Sequence, residues 1–249
     1  MIFLADAPGT HPTFSLGGCG ALCTFNYDSL ISSALAIAIT LAVAFYVRSR
    51  LKSRVPNRFQ AIFELFYNFV RGMVSEIVHK EVVFVVPLAM TIGLYILVAN
   101  WLDVFPLDLI PNLHPANEDL NQTAAMALLV IFLVQGYSLR VLGVKGYLRR
   151  YTKPFEMALP IRIAYIPLNI LEEVVKPVTL SLRLFGNLFA GAVMIFLILL
   201  LLPWFVAAPV LVVWKLFDVV FIGAIQALIF LILTIVYFGQ AREGLEEHH

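Results

Sequence analysis

Charged residues are scarce in this chain of 249 residues, in which Asp, Glu, Lys and Arg together make up only 13%. Soluble domains use about 25% charged residues, so this composition excludes a soluble globule. The net charge is only +1, and the basic residues lie in short loops without a continuous basic patch. This balance argues against a nucleic-acid partner, and the position of the charges indicates membrane topology instead.

Cysteine is nearly absent, since Cys19 and Cys23 are the only two. No pair of histidines accompanies them, so we expect neither a metal site nor a cofactor. Their spacing leaves two alternatives open, a disulfide that would persist outside the cytoplasm and two free thiols.

Long apolar runs dominate the sequence, because 61% of the residues are hydrophobic. A membrane-spanning helix needs about 20 mostly apolar residues, so the sequence predicts an all-α integral membrane protein with about five transmembrane helices in a single membrane domain. The predicted spans are residues 29–47, 82–102, 123–139, 161–202 and 210–239.

Residues 59–80 form a different kind of helix, with an apolar face opposite Glu64, Asn68, Arg71 and Ser75. This stretch is too polar to span a bilayer. Its pattern predicts an amphipathic helix that lies at the membrane interface.

Basic clusters at residues 48–54 and 140–153 predict the orientation, because positively charged loops stay in the cytoplasm. Residues 1–28 and the acidic loop at residues 103–122 then lie outside, and the tail at residues 240–249 is cytoplasmic. Residues 1–28 lack a basic n-region, so we interpret the first span as an uncleaved signal anchor.

The run at residues 161–202 is too long for an upright span, since such a helix would measure roughly 63 Å against a hydrocarbon core of about 30 Å. We expect it to be strongly tilted, kinked at Pro167 or Pro177, or partly outside the core. A turn at residues 203–209 joins it to the last span, and polar stripes on both helices predict a buried polar seam. The stripes comprise Glu172, Lys176, Thr179, Arg183 and Asn187 on the first helix, and Lys215, Asp218, Gln226, Tyr237 and Gln240 on the second.

Arg183 stands out in this seam, because only uncharged residues lie between it and Pro203. An arginine near the bilayer centre costs from about 3 to more than 10 kcal/mol, so such a residue is normally functional and paired. Gln226 should lie at a similar depth on the returning helix. The alternative, in which Arg183 reaches the interface from a short span that starts at Leu184, stays open at this point.

Several segments resemble subunit a, the proton-channel subunit in the membrane Fo sector of bacterial F-type ATP synthases. The densest match is KPVTLSLRLFGN at residues 176–187, followed by Ala190 and Gly191. Residues 226–237 resemble the last helix of that family. Residues 100–111 and 118–123 are also similar, and the resemblance covers about residues 59–240.

The resemblance implies a stator in the bacterial plasma membrane, which is not catalytic by itself and works within the whole ATP synthase complex. Its partners would be a ring of c subunits, each with one buried carboxylate, the b-type subunits of the peripheral stalk, and the lipid bilayer. Arg183 would be the coupling charge that faces the ring carboxylates and separates two offset half-channels. The resemblance leaves open whether the coupling ion is H⁺ or Na⁺.

The resemblance also implies which residues carry the proton. Members of the family often have a carboxylate at the position of Ala192 and a histidine at that of Val219, so Asp218 is the candidate replacement for the outer relay. Glu172 and Glu173 would serve the inner half-channel. The outer half-channel and the vicinity of the arginine would use Asp218, Gln226, Asn187, His114, Glu118, Asp103 and Asn121.

Rival functions from other classes remain at this point. A secondary transporter or ion channel could bind an anionic substrate with the buried arginine, although the sequence has no internal repeat. An intramembrane hydrolase would need a serine with a histidine, or paired aspartates, at depth, and all five histidines lie outside the predicted spans. Some site residues also have simpler interpretations: Lys176 and Glu172 as a helical ion pair, His114 as a loop histidine, and Asp108 and Asp119 as solvated loop charges.

Overall fold

The computed structural model of the chain describes residues 13–15, 24–51, 57–78, 84–102, 117, 119–152 and 159–246. A short ribbon of two antiparallel strands precedes the first helix, and nearly all the other described residues are helical. The elements in chain order are β1 Thr13–Ser15, β2 Thr24–Asn26, α1 Tyr27–Arg50, α2 Arg58–Val78, α3 Val85–Leu102, α4 Leu120–Thr152, α5 Leu159–Leu201, α6 Trp204–Leu216, a π-helical segment Phe217–Ile222, and α7 Gly223–Glu246.

Within the part of the chain that the structure describes, five stretches of helix are long and apolar enough to cross a membrane, which confirms the predicted all-α membrane fold. They are Asp28–Arg50, Val85–Leu102, Leu120–Tyr147, Ile166–Leu201 and Trp204–Ala241. The further helix, α2, buries a stripe of Val70, Val74 and Val78 and exposes Ile62 and Leu65. Its place at the membrane interface stays a prediction.

Helix α5 continues through both Pro167 and Pro177. Its 43 residues correspond to about 65 Å, roughly twice the thickness of the hydrocarbon core. A helix of this length fits a bilayer only when it is strongly tilted or extends beyond the core.

The turn predicted at residues 203–209 is wrong in its extent. Helix α6 begins at Trp204, directly after Pro203, and includes Pro209. The carbonyl of Pro203 accepts hydrogen bonds from two backbone N–H groups of the first turn. Those N–H groups have no partner within the helix itself, so a carbonyl placed just before the helix stabilises its start. The turn therefore occupies only Leu202 and Pro203.

The π-helical segment interrupts the last span between α6 and α7. The N–H group of Gly223 bonds to the carbonyl of Asp218, five residues earlier, whereas an α-helix bonds residues four apart. Such a segment holds one surplus residue. The eight-residue step from Asp218 to Gln226 then turns like about seven α-helical residues, or roughly 700°, so the two side chains point in directions only about 20° apart.

The chain divides into two compact units. Unit 1 comprises Met1–Leu51, Thr91–Thr123 and Leu182–Ile229, and unit 2 comprises Lys52–Met90, Ala124–Ser181 and Phe230–His249. In unit 2, the rings of Phe84, Tyr137 and Phe238 pack edge to face, with centroids 5.5 Å apart in each pair, and Phe238 is fully buried. In the same unit, a Cβ on Gly239 would lie 2.6 Å from Ile77, so only glycine allows α2 and α7 to approach there.

Candidate functional site

Asp218 lies on the π-helical segment of unit 1 and is only 6% exposed. Its carboxylate packs directly against the backbone of α5 at Gly191, where an added Cβ would lie 2.6 Å from Oδ2. That distance is shorter than any van der Waals contact, so a side chain at position 191 would displace the carboxylate. Glycine at this position therefore lets the Asp218 carboxylate lie directly against α5.

A cavity of about 10 Å³ adjoins Asp218. Its polar walls are formed by the side chains of Asn100, Asn187, Asp218 and Gln226, and we call this group the Asp218 pocket. A cavity of this size holds about one water molecule, and these polar groups supply the partners that such a water needs.

Amide side chains hold one wall of the Asp218 pocket in a fixed orientation. Asn117 Nδ2 donates to Asn100 Oδ1 at 2.8 Å, and Asn100 Nδ2 donates to Gln226 Oε1 at 3.1 Å. Asn100 Nδ2 also lies 3.2 Å from the carbonyl of Gly223. Gln226 Nε2 in turn donates to the backbone carbonyl of Arg183 at 3.4 Å. These hydrogen bonds form a series that runs from Asn117 through Asn100 and Gln226 to the turn of α5 that carries Arg183.

Arg183 itself is exposed on the surface of α5. Leu180 and Leu184, about 60° and 100° around the helix from Arg183, are buried, whereas Leu182, about 100° in the other direction, is exposed. Among the described residues, no carboxylate lies within ion-pair distance of the guanidinium. Asn187, one turn along, is exposed on the same face and also lines the cavity. The pocket therefore borders the face that presents the arginine.

A second polar group, which we call the Glu173 cluster, lies within unit 2. Lys176 Nζ is 2.9 Å from Glu173 Oε1 and 3.4 Å from Glu172 Oε1. Gln135 Nε2 donates to Glu173 Oε2 at 2.5 Å, and the hydroxyl of Tyr147 donates to Gln135 Oε1 at 3.1 Å. The predicted helical ion pair between Lys176 and Glu172 is confirmed, but the closer partner of the ammonium is Glu173.

The residues predicted for the proton pathway lie in several separate places. Asp218, Gln226 and Asn187 line one cavity, as their stripes suggested, and Glu172 and Glu173 meet around Lys176. Asn121 is exposed and joins neither group. His114, Glu118 and Asp103 lie outside the described residues.

Asp119 is not the solvated loop charge that we expected, because it is only 6% exposed. Its Oδ1 accepts the backbone N–H of Asn121 at 2.8 Å, and its Oδ2 accepts Asn26 Nδ2 at 2.7 Å. A carboxylate just before α4 partners the free N–H groups of the first turn and interacts favourably with the helix dipole. Asp119 therefore has a structural role at the start of α4.

Sequence reasoning missed Asn100, Asn117 and Gly191. Asn100 could have been recognised because it is the one amide residue in the apolar sequence of α3, and a polar side chain inside a membrane span needs a hydrogen-bond partner. Nothing in the sequence marked the contact of Gly191 with Asp218, which depends on packing between two helices.

The π-helical segment also determines which residue before Gln226 faces the Asp218 pocket. A residue seven places before Gln226 would face the pocket on a regular helix, which is where the resemblance expects a histidine and where this chain has Val219. The surplus residue moves that direction to the eighth place, and there the chain has Asp218.

Comparison with known proteins gives consistent matches. The family model described as ATP synthase A chain matches residues 30–239. ATP synthase subunit a of Acidothermus cellulolyticus is 37% identical over 234 residues, which cover 94% of this chain and 82% of that protein. The protein of the same name from Mycobacterium ulcerans is 41% identical over 187 residues, 72% of each chain. ATP synthase subunit a 2 of Vibrio campbellii is 37% identical over 202 residues, 75% of each.

Proposed function

This chain belongs to the ATP synthase A chain family, and we propose that it is the stator that couples proton flow to rotation of a c-subunit ring. Membership supports proton translocation in the membrane sector of an ATP synthase and a bacterial membrane location. Two offset half-channels, contact with the ring and contact with b-type subunits of a peripheral stalk belong to this proposal. We also propose that the chain acts in coupling and does not itself catalyse ATP synthesis.

The observation that carries the proposal is the exposed guanidinium of Arg183 on an apolar span. A permanent charge on such a surface is costly in lipid. A partner that presents a carboxylate at the same level offsets this cost, and the arginine in turn keeps that carboxylate ionised. A ring carboxylate that leaves Arg183 and faces lipid must instead take up a proton, since burying an isolated anion is far too costly.

The Asp218 pocket then forms the end of one half-channel next to the ring. A proton held by Asp218 would reach the exposed face of α5 through a water molecule of the kind that the cavity has room for, and past Asn187. His114, Glu118, Asp103 and Asn121 would serve the mouth of this half-channel on the outer side. Glu172 in the Glu173 cluster would serve the other half-channel, on the cytoplasmic side.

Arg183 keeps the two half-channels apart, because a guanidinium does not lose its proton in proteins and cannot relay one. Transfer between the half-channels then requires a ring carboxylate to move. Each proton that crosses the full potential releases about 2.3 kcal/mol per 100 mV, which supplies the work of rotation.

The test is to replace Arg183 in the assembled complex and to measure ATP synthesis in inverted vesicles together with passive proton permeability. Arg183→Ala should abolish coupled synthesis and let protons leak without rotation. Arg183→Lys should also lose most synthesis, since a compact ammonium does not reproduce the planar guanidinium. Arg140→Ala, at an exposed arginine of α4, is the matched control and should keep near-normal synthesis. Normal synthesis in Arg183→Ala would overturn the proposal.

The proposed orientation has its own test, which uses the only two cysteines. With residues 1–28 outside, an impermeant thiol reagent should label Cys19 or Cys23 on intact, reduced cells. Labelling that appears only after lysis would reverse the orientation and exchange the two half-channels.

A further inference from the structure

Helix α4 contains a sharp change of direction at Gly143, whose φ of 67° and ψ of 168° are not helical. Positive φ is readily adopted only by glycine. Beyond it, Tyr147 hydrogen-bonds to Gln135, twelve residues earlier. Twelve residues of unbroken helix would separate the two by about 18 Å, which exceeds the combined reach of their side chains. Residues 144–152 therefore form an arm that folds back towards the first part of α4.

Gln135 connects this arm to α5. Its carbonyl oxygen accepts the hydroxyl hydrogen of Tyr147, so its amide nitrogen is the group that donates to Glu173. The opposite amide orientation would place an N–H group against the tyrosine hydroxyl and an oxygen against a carboxylate, and it would lose both good contacts. Tyr147, Gln135 and Glu173 thus form one continuous set of hydrogen bonds.

The two adjacent glutamates of this cluster have different surroundings. Glu173 is 17% exposed, and donors occupy both of its carboxylate oxygens, Gln135 on Oε2 and Lys176 on Oε1. Glu172 is 64% exposed, and among the described side chains it pairs with Lys176 alone. Charge-assisted hydrogen bonds are roughly twice as strong as neutral ones, whereas an exposed ion pair contributes little.

A proton added to Glu173 would have to displace a donor from the oxygen that it occupies, Gln135 from Oε2 or Lys176 from Oε1. A proton added to Glu172 would disturb only a weak, solvent-exposed pair, and the charge of Lys176 would still be balanced by Glu173.

We propose that Glu173 is a positioning residue, which fastens the arm of α4 to α5 through Gln135 and Tyr147 and thereby leaves Glu172 as the carboxylate that exchanges protons. Proton exchange at Glu172 rests on the proposed function. The hydrogen bonds that hold the arm of α4 against α5 do not depend on it. Lys176 on α5 is a charged group that contacts both Glu172 and Glu173, and Tyr147 on α4 reaches Glu173 through Gln135.

The test compares Glu173→Gln, Tyr147→Phe and Glu172→Gln in the intact complex, with two readouts. The first is hydrogen exchange of the backbone amides at residues 144–152. In Glu173→Gln, the new amide N–H group faces one of the existing donors, Gln135 Nε2 or Lys176 Nζ, and that hydrogen bond is lost. Tyr147→Phe removes one hydroxyl without changing the ring. Each should speed exchange of the arm roughly tenfold, as expected when one strong hydrogen bond is lost. Glu172→Gln should leave exchange unchanged.

The second readout is the pH profile of proton-driven ATP synthesis in vesicles. Glu172→Gln should alter that profile, whereas Glu173→Gln should lower the rate at every pH and keep the profile of the wild type. A changed profile in Glu173→Gln, or a wild-type rate and profile in Glu172→Gln, would overturn the division of roles. Unchanged hydrogen exchange in both Glu173→Gln and Tyr147→Phe would contradict the proposal that these residues hold the arm against α5. Failure of the proposed function would appear instead as normal coupled synthesis in Arg183→Ala.

Discussion

The Asp218 pocket and the Glu173 cluster hold their carboxylates in two different ways. Asp218 is buried against a glycine and among amides, so its position depends on shape and on the orientation of neutral groups. Glu173 is held by an ammonium and by a short hydrogen bond at a partly exposed site. A site defined by shape is damaged by added volume, whereas a site defined by charge is damaged by removal of the charge. Substitutions in the two regions should therefore have different effects.

Removal of the buried carboxylate should have the largest effect. Asp218→Asn preserves the volume of the side chain but cannot accept and release a proton. A positioned proton-transfer group contributes about 10²–10⁴-fold to a rate, so proton-driven synthesis should fall on the order of 100-fold. The rate would be measured in inverted vesicles, with incorporation of the subunit checked by immunoblot.

The control for this variant is Glu64→Gln, which alters an exposed carboxylate on α2. It should keep the wild-type rate. A wild-type rate in Asp218→Asn would instead remove Asp218 from the pathway and direct attention to Glu118 and His114.

Added volume in the pocket should have the next largest effect. Gly191→Ala places a Cβ 2.6 Å from Asp218 Oδ2, so the carboxylate must move and synthesis should fall about tenfold. Gly136→Ala is the matched control, because a Cβ there meets nothing within 4 Å.

The same variant can show whether the volume acts through the carboxylate. Adding Gly191→Ala to Asp218→Asn should cause little further loss, since coupled residues are not additive. Independent, multiplying losses would mean that Gly191 matters for another reason, such as the packing of α5.

Loss of amide orientation should have the smallest effect of the three. Asn100→Ala removes the donor to Gln226 and leaves Asn117 Nδ2 without its acceptor. An unsatisfied buried polar group costs about 1–3 kcal/mol, so the thermal stability of the complex should fall measurably and synthesis should fall a few-fold. Thr234→Ala is the control, since the hydroxyl of Thr234 bonds only to Phe230 of its own helix. If both variants behave alike, orientation of Gln226 is not important.

Much of the fold followed from the sequence because its signals are long and repetitive. The five helices that could span a membrane are visible as apolar runs, and the period of an α-helix placed Gln226 near the level of Arg183. The closeness of these two residues is confirmed by the hydrogen bond from Gln226 to the Arg183 carbonyl. Regular geometry was enough in these cases. The predicted burial of the α5 stripe is wrong, because Glu172, Thr179, Arg183 and Asn187 are exposed.

The remaining features depend on single residues or on contacts between distant segments. The backbone change at Gly143 and the π-helical segment at Phe217–Ile222 interrupt the helical period without any change in composition. Asn100 and Asn117 form a hydrogen bond although they lie 17 residues apart in the sequence, and no helical period connects them. The turn at Leu202 was misjudged because Pro209 was interpreted as a breaker, while a long helix can include a proline.

The π-helical segment has an evolutionary consequence. The surplus residue is absorbed within the segment, so the eight residues from Asp218 to Gln226 turn like seven. A deletion of one codon between Asp218 and Gln226 would therefore restore a regular α-helix and keep Asp218, then seven places before the glutamine, facing the pocket. Conversion of the segment to α-helix without a deletion would instead turn Asp218 away by about 100° and present Val219. Residue numbers counted from Gln226 then correspond between relatives only when the surplus residue is counted as well.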